Sequence, residues 1–408
     1  MRLTGLPLLA VVALGLAAPA PGFAAPPPVE SCHKEKTFDA WLDGVRSDAR
    51  AAGDSANAID EALDGVTFDP EIVKKDRAQG VFTQDFLQFS DRMVAAYRLT
   101  EGKARIAKLA DVFQRIEKTY GVPAPVLTAF WGLETDFGAG NGTGPTLTSL
   151  ATLGYDCRRP DFFRQQLMAA IKIIDRGDLS ASQMRGPWAG ELGQLQFIPE
   201  RYLNFGVDFD GDGRVDLLHS SPDALASAAN YIKSLGWKAG QPWLQEVRVP
   251  QSLPWEKADL SIKLPLSQWA QWGVTLPGGK PLPAKGPDAS LFLPMGRSGP
   301  AFLAYPNFDA YLQWNNSLVY SATAAYFATR LAGAPPVGRG TIGDSELTAA
   351  EVRQVQSLLA AKGYDIGKAD GIIGASTRQA VKAEQLKFGL PPDSYPSREL
   401  LQKLTEGA

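Results

Sequence analysis

One carboxylate, Glu134, follows the apolar run Phe130-Trp131-Gly132-Leu133 and precedes glycines at 138, 140, 142 and 144. Helical spacing puts it one turn after Phe130 and Trp131, in the last turn of a predicted helix, where the macrodipole disfavours an anion. Apolar packing and that dipole both push a carboxyl towards its protonated form, the form in which a general acid breaks a glycosidic bond. The glycines would let backbone approach a bulky ligand closely. The alternative is a Glu paired with an Arg under a glycine-rich loop. Composition narrows the other chemistries. With only His33 and His219, far apart in sequence, there is no basis for a zinc site built on several histidines. The adjacent Cys32 and His33 point apart, which disfavours a Cys-His nucleophile.

A second pattern has the spacing of a metal loop. In "DFDGDGRVDLLHSSPD", Asp208, Asp210 and Asp212 recur every second residue ahead of Gly213, as at the start of an EF-hand calcium loop, and Arg214 offers a backbone carbonyl. Loop position 12 is His219, where a bidentate Glu is expected. The alternative is a solvated acidic turn.

Helices must position these groups. Apolar residues at three and four spacing predict helix over most of Thr37 to Tyr120, with Gly121-Val122-Pro123 as a stop. A new helix opens at Pro123 or Pro125 and carries "VLTAFWGLE". Others follow in "RRPDFFRQQLMAAIKIIDRG" and "PDALASAANYIKSLGW". Between about 245 and 305 the runs "EVRVP", "LSIKLPL" and "SLFLPM", broken by Pro and Gly, predict a small β-rich insert. Helix resumes in "NFDAYLQWNNSLVYSATAAYFATRLAG". A Pro/Gly/Ser-rich linker at 332–346 then leads to a compact unit at 347–404. The fold class expected is mainly α (α+β).

The first 24 residues have one Arg, a short apolar run and a small-residue end, and are expected to be a cleaved secretory signal. Cys32 follows Val29-Glu30-Ser31 and so lacks a lipoprotein cleavage site. A periplasmic protein with no integral membrane segment after cleavage is expected. Losing Arg2 moves the formal charge from -3 to -4, too near neutral for a nucleic-acid binder. In an oxidising compartment the even cysteine count favours a Cys32–Cys157 bridge over two separate buried thiols.

"GVPAPVLTAFWGLETDFG", "GELGQLQFIPERYLNFGVDFDGDGRVDLLHSSPDALASAANYIKSLGW" and "NFDAYLQWNNSLVY" together resemble the lytic transglycosylase B family of peptidoglycan-cleaving enzymes. The resemblance covers most of 33–331. It implies a lysozyme-like helical catalytic domain in which Glu134 is the sole acid/base and needs no cofactor. That residue protonates the oxygen between N-acetylmuramic acid (MurNAc) and N-acetylglucosamine, then helps the muramyl C6 hydroxyl close onto C1 as a 1,6-anhydro end. Peptidoglycan glycan strands are the implied partner. The resemblance further implies a substrate role for Gln196, Tyr231, Asn315, Ser317 and Tyr320. Trp314 stands where the family has Tyr, keeping an aromatic platform but losing a hydroxyl. Core packing is the alternative for Trp314 and Tyr320. The family closes its calcium loop on a later Asp, here Asp223, giving a structural site across 208–223. The last unit resembles a three-helix peptidoglycan-binding module, with Thr377 or Ser376 capping its second helix. A hydrolase would want a second carboxylate. Asp136 is about 200° around the helix from Glu134, and Glu191 is the better rival, read as a loop or helix-cap residue. A hydrolytic muramidase or a non-catalytic wall-binding scaffold are the alternatives.

Overall fold

The computed structural model describes residues 32, 35, 37–78, 84–341 and 347–407. The leader expected over 1–24, His33 and linker residues 342–346 lie outside them.

Short polar side chains open the first helices by accepting backbone N–H groups. Thr37 caps α1 (Phe38–Ala51), Ser55 caps α2 (Ala56–Leu63), and Asp69 with Pro70 starts α3 (Pro70–Arg77). Asp85 caps α4 (Phe86–Met93), followed by α5 (Ala96–Lys108). Helix α6 (Ala110–Tyr120) stops where Gly121 turns left-handed at φ 76°. Helix α7 (Ala124–Thr135) begins behind Pro123 with Pro125 in its first turn, where a missing N–H costs nothing. Then come β1 (Gly144–Pro145), α8 (Thr146–Tyr155), α9 (Pro160–Asp175), β2 (Arg185–Gly186), α10 (Pro199–Phe205) and α11 (Ser221–Ser234). The insert holds β3 (Leu244–Val247), α12 (Leu266–Gln271), β4 (Ser290–Phe292) and β5 (Ala301–Ala304). Helices α13 (Phe308–Trp314), α14 (Leu318–Leu331), α15 (Ala349–Ala361), α16 (Ala375–Lys387) and α17 (Arg398–Glu406) complete the chain.

The described residues form two compact units, 32–78 with 106–234, and 84–105 with 235–341 and 347–407. In the first, α9 packs on α2, α8 and α10, burying Phe163, Leu167, Ile171 and Ile174. Every residue of α7 from Val126 to Leu133 is buried, as a helix apolar on all sides must be. Cys32 and Cys157 are disulfide-bonded with Cα atoms 5.8 Å apart, as the cysteine count favoured.

The second unit is built on an antiparallel sheet in the order β3-β5-β4. Its central strand, "AFLA" at 301–304, was not among the predicted runs. "LSIKLPL" departs from its expected strand: only Leu264 makes an isolated bridge, to Ala289, before Pro265 starts α12. Trp269 of α12, Leu291 and Leu303 fill the core beneath. The long helix expected after Asn307 is broken at 315–317, where the Ser317 hydroxyl caps α14.

Helices α15 to α17 form the expected C-terminal three-helix subdomain around Val355, Leu359, Val381, Leu400 and Leu404. Neither Thr377 nor Ser376 caps its second helix. Gly374 holds the cap position, and the Thr377 hydroxyl instead accepts from Gln356 Nε2 at 3.2 Å. Arg378 reaches out to donate to the carbonyls of Leu293 and Pro294, and Lys382 pairs with Asp259 at 2.7 Å. These contacts fasten the subdomain to the insert.

Candidate active site

Glu134 is half-buried between the fully covered Leu133 and Thr135 at the end of α7. The helix stops abruptly behind it. Asp136 and Phe137 both turn left-handed, at φ 53° and 62°, so Asp136 leaves the helix and shares no face with Glu134. The Thr135 hydroxyl donates to the Gln194 carbonyl at 2.6 Å and accepts the Gly138 N–H at 2.9 Å, tying this turn to the 190–198 loop.

Gly142 and Gly144 are packed against another segment of the chain. A Cβ on Gly142, at φ 84°, would fall 2.4 Å from the Gly186 carbonyl carbon, and one on Gly144 would lie 3.1 Å from the Gly186 oxygen. Gly144 pairs with Gly186 in the β1–β2 ladder. The close approach is therefore of chain on chain, and it fastens the loop after Glu134 to the strand leading to Glu191.

That second loop is a tight turn. Leu192 and Phe197 exchange backbone hydrogen bonds of 2.8 and 2.9 Å, and Gln196 sits at its corner with φ 52°. A non-glycine residue held there is strained, a feature concentrated at functional sites. Gln196 donates through Nε2 to the Gly193 carbonyl at 2.9 Å, while its Oε1 is buried with no hydrogen-bond partner. Gln194 points the other way, donating to the Leu218 carbonyl and accepting from Ser221. Tyr231 of α11 is 7% exposed. Its ring packs on Phe197 and Phe205, with the Arg201 guanidinium 4.7 Å above it. Burial raises its hydroxyl pKa, so Tyr231 stays a neutral phenol beneath the Gln196 turn.

Glu191, read from sequence as a loop or cap residue, is 2% exposed and caps nothing. Neither carboxylate oxygen has a hydrogen-bond partner. Burial, helped by the Glu134 charge, pushes its pKa up to about 7; its own backbone amide, outside hydrogen-bond geometry, and the Arg159 charge lower it by less. Adjacent-residue motifs in the sequence carry no sign of this, because the cover comes from elsewhere in the chain.

Asp208, Asp210 and Asp212 stand exposed with carboxylate oxygens within 4.8 Å of one another. The Gly211 and Gly213 N–H groups donate to the two oxygens of Asp208, which curls the loop. Asp223 is fully buried and accepts N–H groups from Phe209, Asp210 and Asp216 at 2.8, 3.2 and 2.9 Å. It therefore closes the loop from inside. Arg214 presents its N–H to Asp212 Oδ1 at 2.9 Å.

Trp314, Asn315, Ser317 and Tyr320 belong to the second unit. Trp314 and Tyr320 are buried at 7% and 2% exposure. Asn315 Oδ1 accepts the Ser317 N–H at 2.9 Å, and Ser317 Oγ accepts that of Tyr320 at 3.3 Å. The motif thus builds the break between α13 and α14.

Residues 37–329 match the family model for the transglycosylase SLT domain, and 348–404 that for a putative peptidoglycan binding domain. The chain belongs to the transglycosylase SLT family. SltB3 from Pseudomonas aeruginosa, in complex with NAG-anhNAM-pentapeptide, is 42% identical with a TM-score of 0.84, over 91% of this chain and 100% of that one. Membrane-bound lytic murein transglycosylase B of Escherichia coli (strain K12) is 28% identical over 237 residues, 58% of this chain and 64% of the relative's length. The Escherichia coli lytic transglycosylase Slt35, in complex with calcium, is 25% identical with a TM-score of 0.60, over 72% of this chain and 92% of that one. Among the described residues of this family member, no helix is long and apolar enough to cross a membrane.

Proposed function

We propose that this protein is a periplasmic lytic transglycosylase that cleaves the MurNAc–GlcNAc bond of peptidoglycan and leaves 1,6-anhydro-MurNAc ends. The observation that carries the reading is Glu134, a half-buried carboxyl at the end of a buried helix, in a chain of the transglycosylase SLT family. Its proton goes to the glycosidic oxygen as the C1–O bond breaks. The oxocarbenium-like C1 is then captured by the sugar's own C6 oxygen while the Glu134 carboxylate takes up the C6 hydroxyl proton. One carboxyl serves as acid and then as base, and no water is consumed. Capture by a tethered hydroxyl is favoured by effective molarities that reach on the order of 10⁵–10⁸ M. SltB3 in complex with an anhydromuramyl ligand supports this product. Gln196 and Tyr231 share a unit with Glu134 and are assigned to the glycan. Trp314, Asn315, Ser317 and Tyr320 are assigned to it from the third sequence block.

Calcium is assigned to the 208–223 loop in a structural role. The donor chemistry fits: three clustered carboxylates are hard oxygen ligands, Asp223 anchors the turn, and Arg214 is assigned a carbonyl ligand by its place in the loop pattern. A bound ion would hold this loop, whose Leu217 and Leu218 carbonyls accept from Gln194, the residue that meets Thr135 beside Glu134. Export is supported by the leader pattern and by the Cys32–Cys157 bridge.

The test is a digest of purified sacculi with products separated by mass. Ends lighter by one water than a hydrolysed end and inert to borohydride are expected. Reducible MurNAc ends would make the protein a muramidase, and undigested sacculi would make it a binding scaffold.

A further inference from the structure

We propose that a cleft in the second unit is a further peptidoglycan site, one that takes a carboxylate-bearing stem peptide on Arg248, Arg297 and Trp255. The inference rests on peptidoglycan as the substrate and involves none of the residues assigned to bond cleavage. The cleft measures about 510 Å³. It is lined by the end of β3 and the chain behind it, by the turn ahead of β5, by Gly340 and Thr341 of the linker, and by Pro391 of the wall-binding subdomain. Val247 and Ala301 are partners in the β3–β5 ladder, so the residues that leave β3 and those that enter β5 meet at one end of the sheet. Arg248 comes from the first of these segments and Arg297 from the second.

The charges here are layered, with the acids inside and the guanidiniums outside. Arg248 Nη1 pairs with Glu246 at 3.0 Å, and Arg297 Nη1 lies 3.6 Å from Asp393. The acids are 14% and 5% exposed, against 50% and 38% for the two arginines. Both acids are also spent on other donors. Glu246 Oε1 accepts the Gly338 N–H at 2.9 Å. Asp393 accepts from Gln385 Nε2 at 2.8 Å and from the backbone N–H groups of Arg297 and Tyr395 at 3.0 and 3.1 Å. Each acid therefore holds its guanidinium through one nitrogen and leaves most of the donor fork for a ligand. Gly338 packs on the Arg248 fork so closely that a Cβ would fall 2.5 Å from Nη2, which fixes the fork in place. Val247, Ala301 and the half-buried Trp255 add an apolar lining that runs into the core of the insert. Guanidinium forks match carboxylates, and the apolar lining matches the short aliphatic side chains of a peptide. Glycan hydroxyls and acetamides carry no charge, so within peptidoglycan the stem peptides supply the carboxylates. A stem peptide in this cleft is gripped by the insert and the wall-binding subdomain at once.

The test is calorimetric titration of the full chain with a synthetic stem pentapeptide, and with the same peptide amidated at its carboxyls. Neither ligand has a glycosidic bond, so binding is read apart from cleavage. The free peptide is expected to bind at least about tenfold more tightly than the amide. R248Q and R297Q should each weaken the free peptide by about tenfold and reduce the preference for it over the amide. In the wild-type chain the Trp255 indole N–H resonance, assigned from W255F, should move as the free peptide is added. That measurement stands even if the arginine variants fail to fold. Equal binding of the two peptides, or no binding at millimolar peptide, would overturn the proposal. An unmoved Trp255 resonance, or free-peptide affinity unchanged in both arginine variants, places the peptide elsewhere and overturns it too. Displacement by an equal concentration of inorganic phosphate would make the cleft a general anion site and would equally sink the assignment. Failure of the functional reading shows separately, as reducible ends or undigested sacculi from wild-type protein.

Discussion

At the scale of single residues the site holds two carboxyls with different surroundings. Glu134 is half-exposed at a helix end, whereas Glu191 is covered on all sides. Glu134→Gln keeps the shape and loses the proton, so it should fold normally and lose on the order of 10²–10⁴-fold in cleavage rate, measured on purified sacculi. Activity within a few-fold of wild type would move the acid elsewhere. Glu191 makes a prediction about stability that needs no substrate. Its folded pKa of about 7 lies above the ordinary value of 4.5. The folded state therefore binds that proton more tightly, and its contribution is fully present below pH 4.5 and lost as pH rises through 7. Wild-type protein should lose up to about 3 kcal/mol across this window through this group, and E191Q should lose correspondingly less. Denaturant melts at pH 4.5 and pH 8 measure the difference.

At the scale of elements, the loops that flank Glu134 are held by backbone packed on backbone. Gly142→Ala would add a Cβ 2.4 Å from the Gly186 carbonyl carbon at φ 84°, so the β1–β2 ladder must shift. A loss of about 1–3 kcal/mol in stability is expected, read by denaturant melts, with cleavage falling because both loops move. The acidic loop predicts the opposite sign. Calcium binding only the folded state should raise the melting temperature, by about 2.7 kcal/mol of stability at a hundredfold excess over Kd. Asp208→Ala should abolish this response and also cost some apo stability, because Asp208 accepts the Gly211 and Gly213 N–H groups. No shift with millimolar calcium would return the loop to a solvated acidic turn.

At the scale of the whole molecule, long-range ties stand out. The Cys32–Cys157 bridge spans 125 residues and closes the N-terminal segment onto the first unit. Its reduction should lower the melting temperature, by up to about 5 kcal/mol of stability in the chain-entropy model. A melt unchanged by reductant would show that the packing of α1 to α3 already holds that segment. Within the second unit, the Arg378 contacts to Leu293 and Pro294 and the Lys382–Asp259 pair make the wall-binding subdomain a fixed partner of the insert.

What the sequence determined by itself was whatever depends on a few neighbouring residues. Helix α7 was legible with its start at Pro123 and its terminal acid, because prolines and apolar periodicity act over one or two turns of chain, while its left-handed stop at Asp136 and Phe137 was not. The same holds for the Asp208-Asp210-Asp212 curl, whereas the three helices after the linker were expected from a resemblance spanning the whole unit. Tertiary structure alone decided the rest. The strand at 301–304 is short, and its neighbours at 244–247 and 290–292 define it as central only once they pair. Gly142 and Gly144 pack on Gly186, some forty residues away, a partner no local window contains. Thr377 bonds to Gln356 instead of capping its own helix, since the partner arrives from another helix. Glu191 reads as an ordinary loop acid in "AGELGQ" because its environment is made by Glu134, Arg159 and Gly186, which no local window contains. A pKa is set by solvent exclusion and by nearby charge, and both exist only after distant segments have packed.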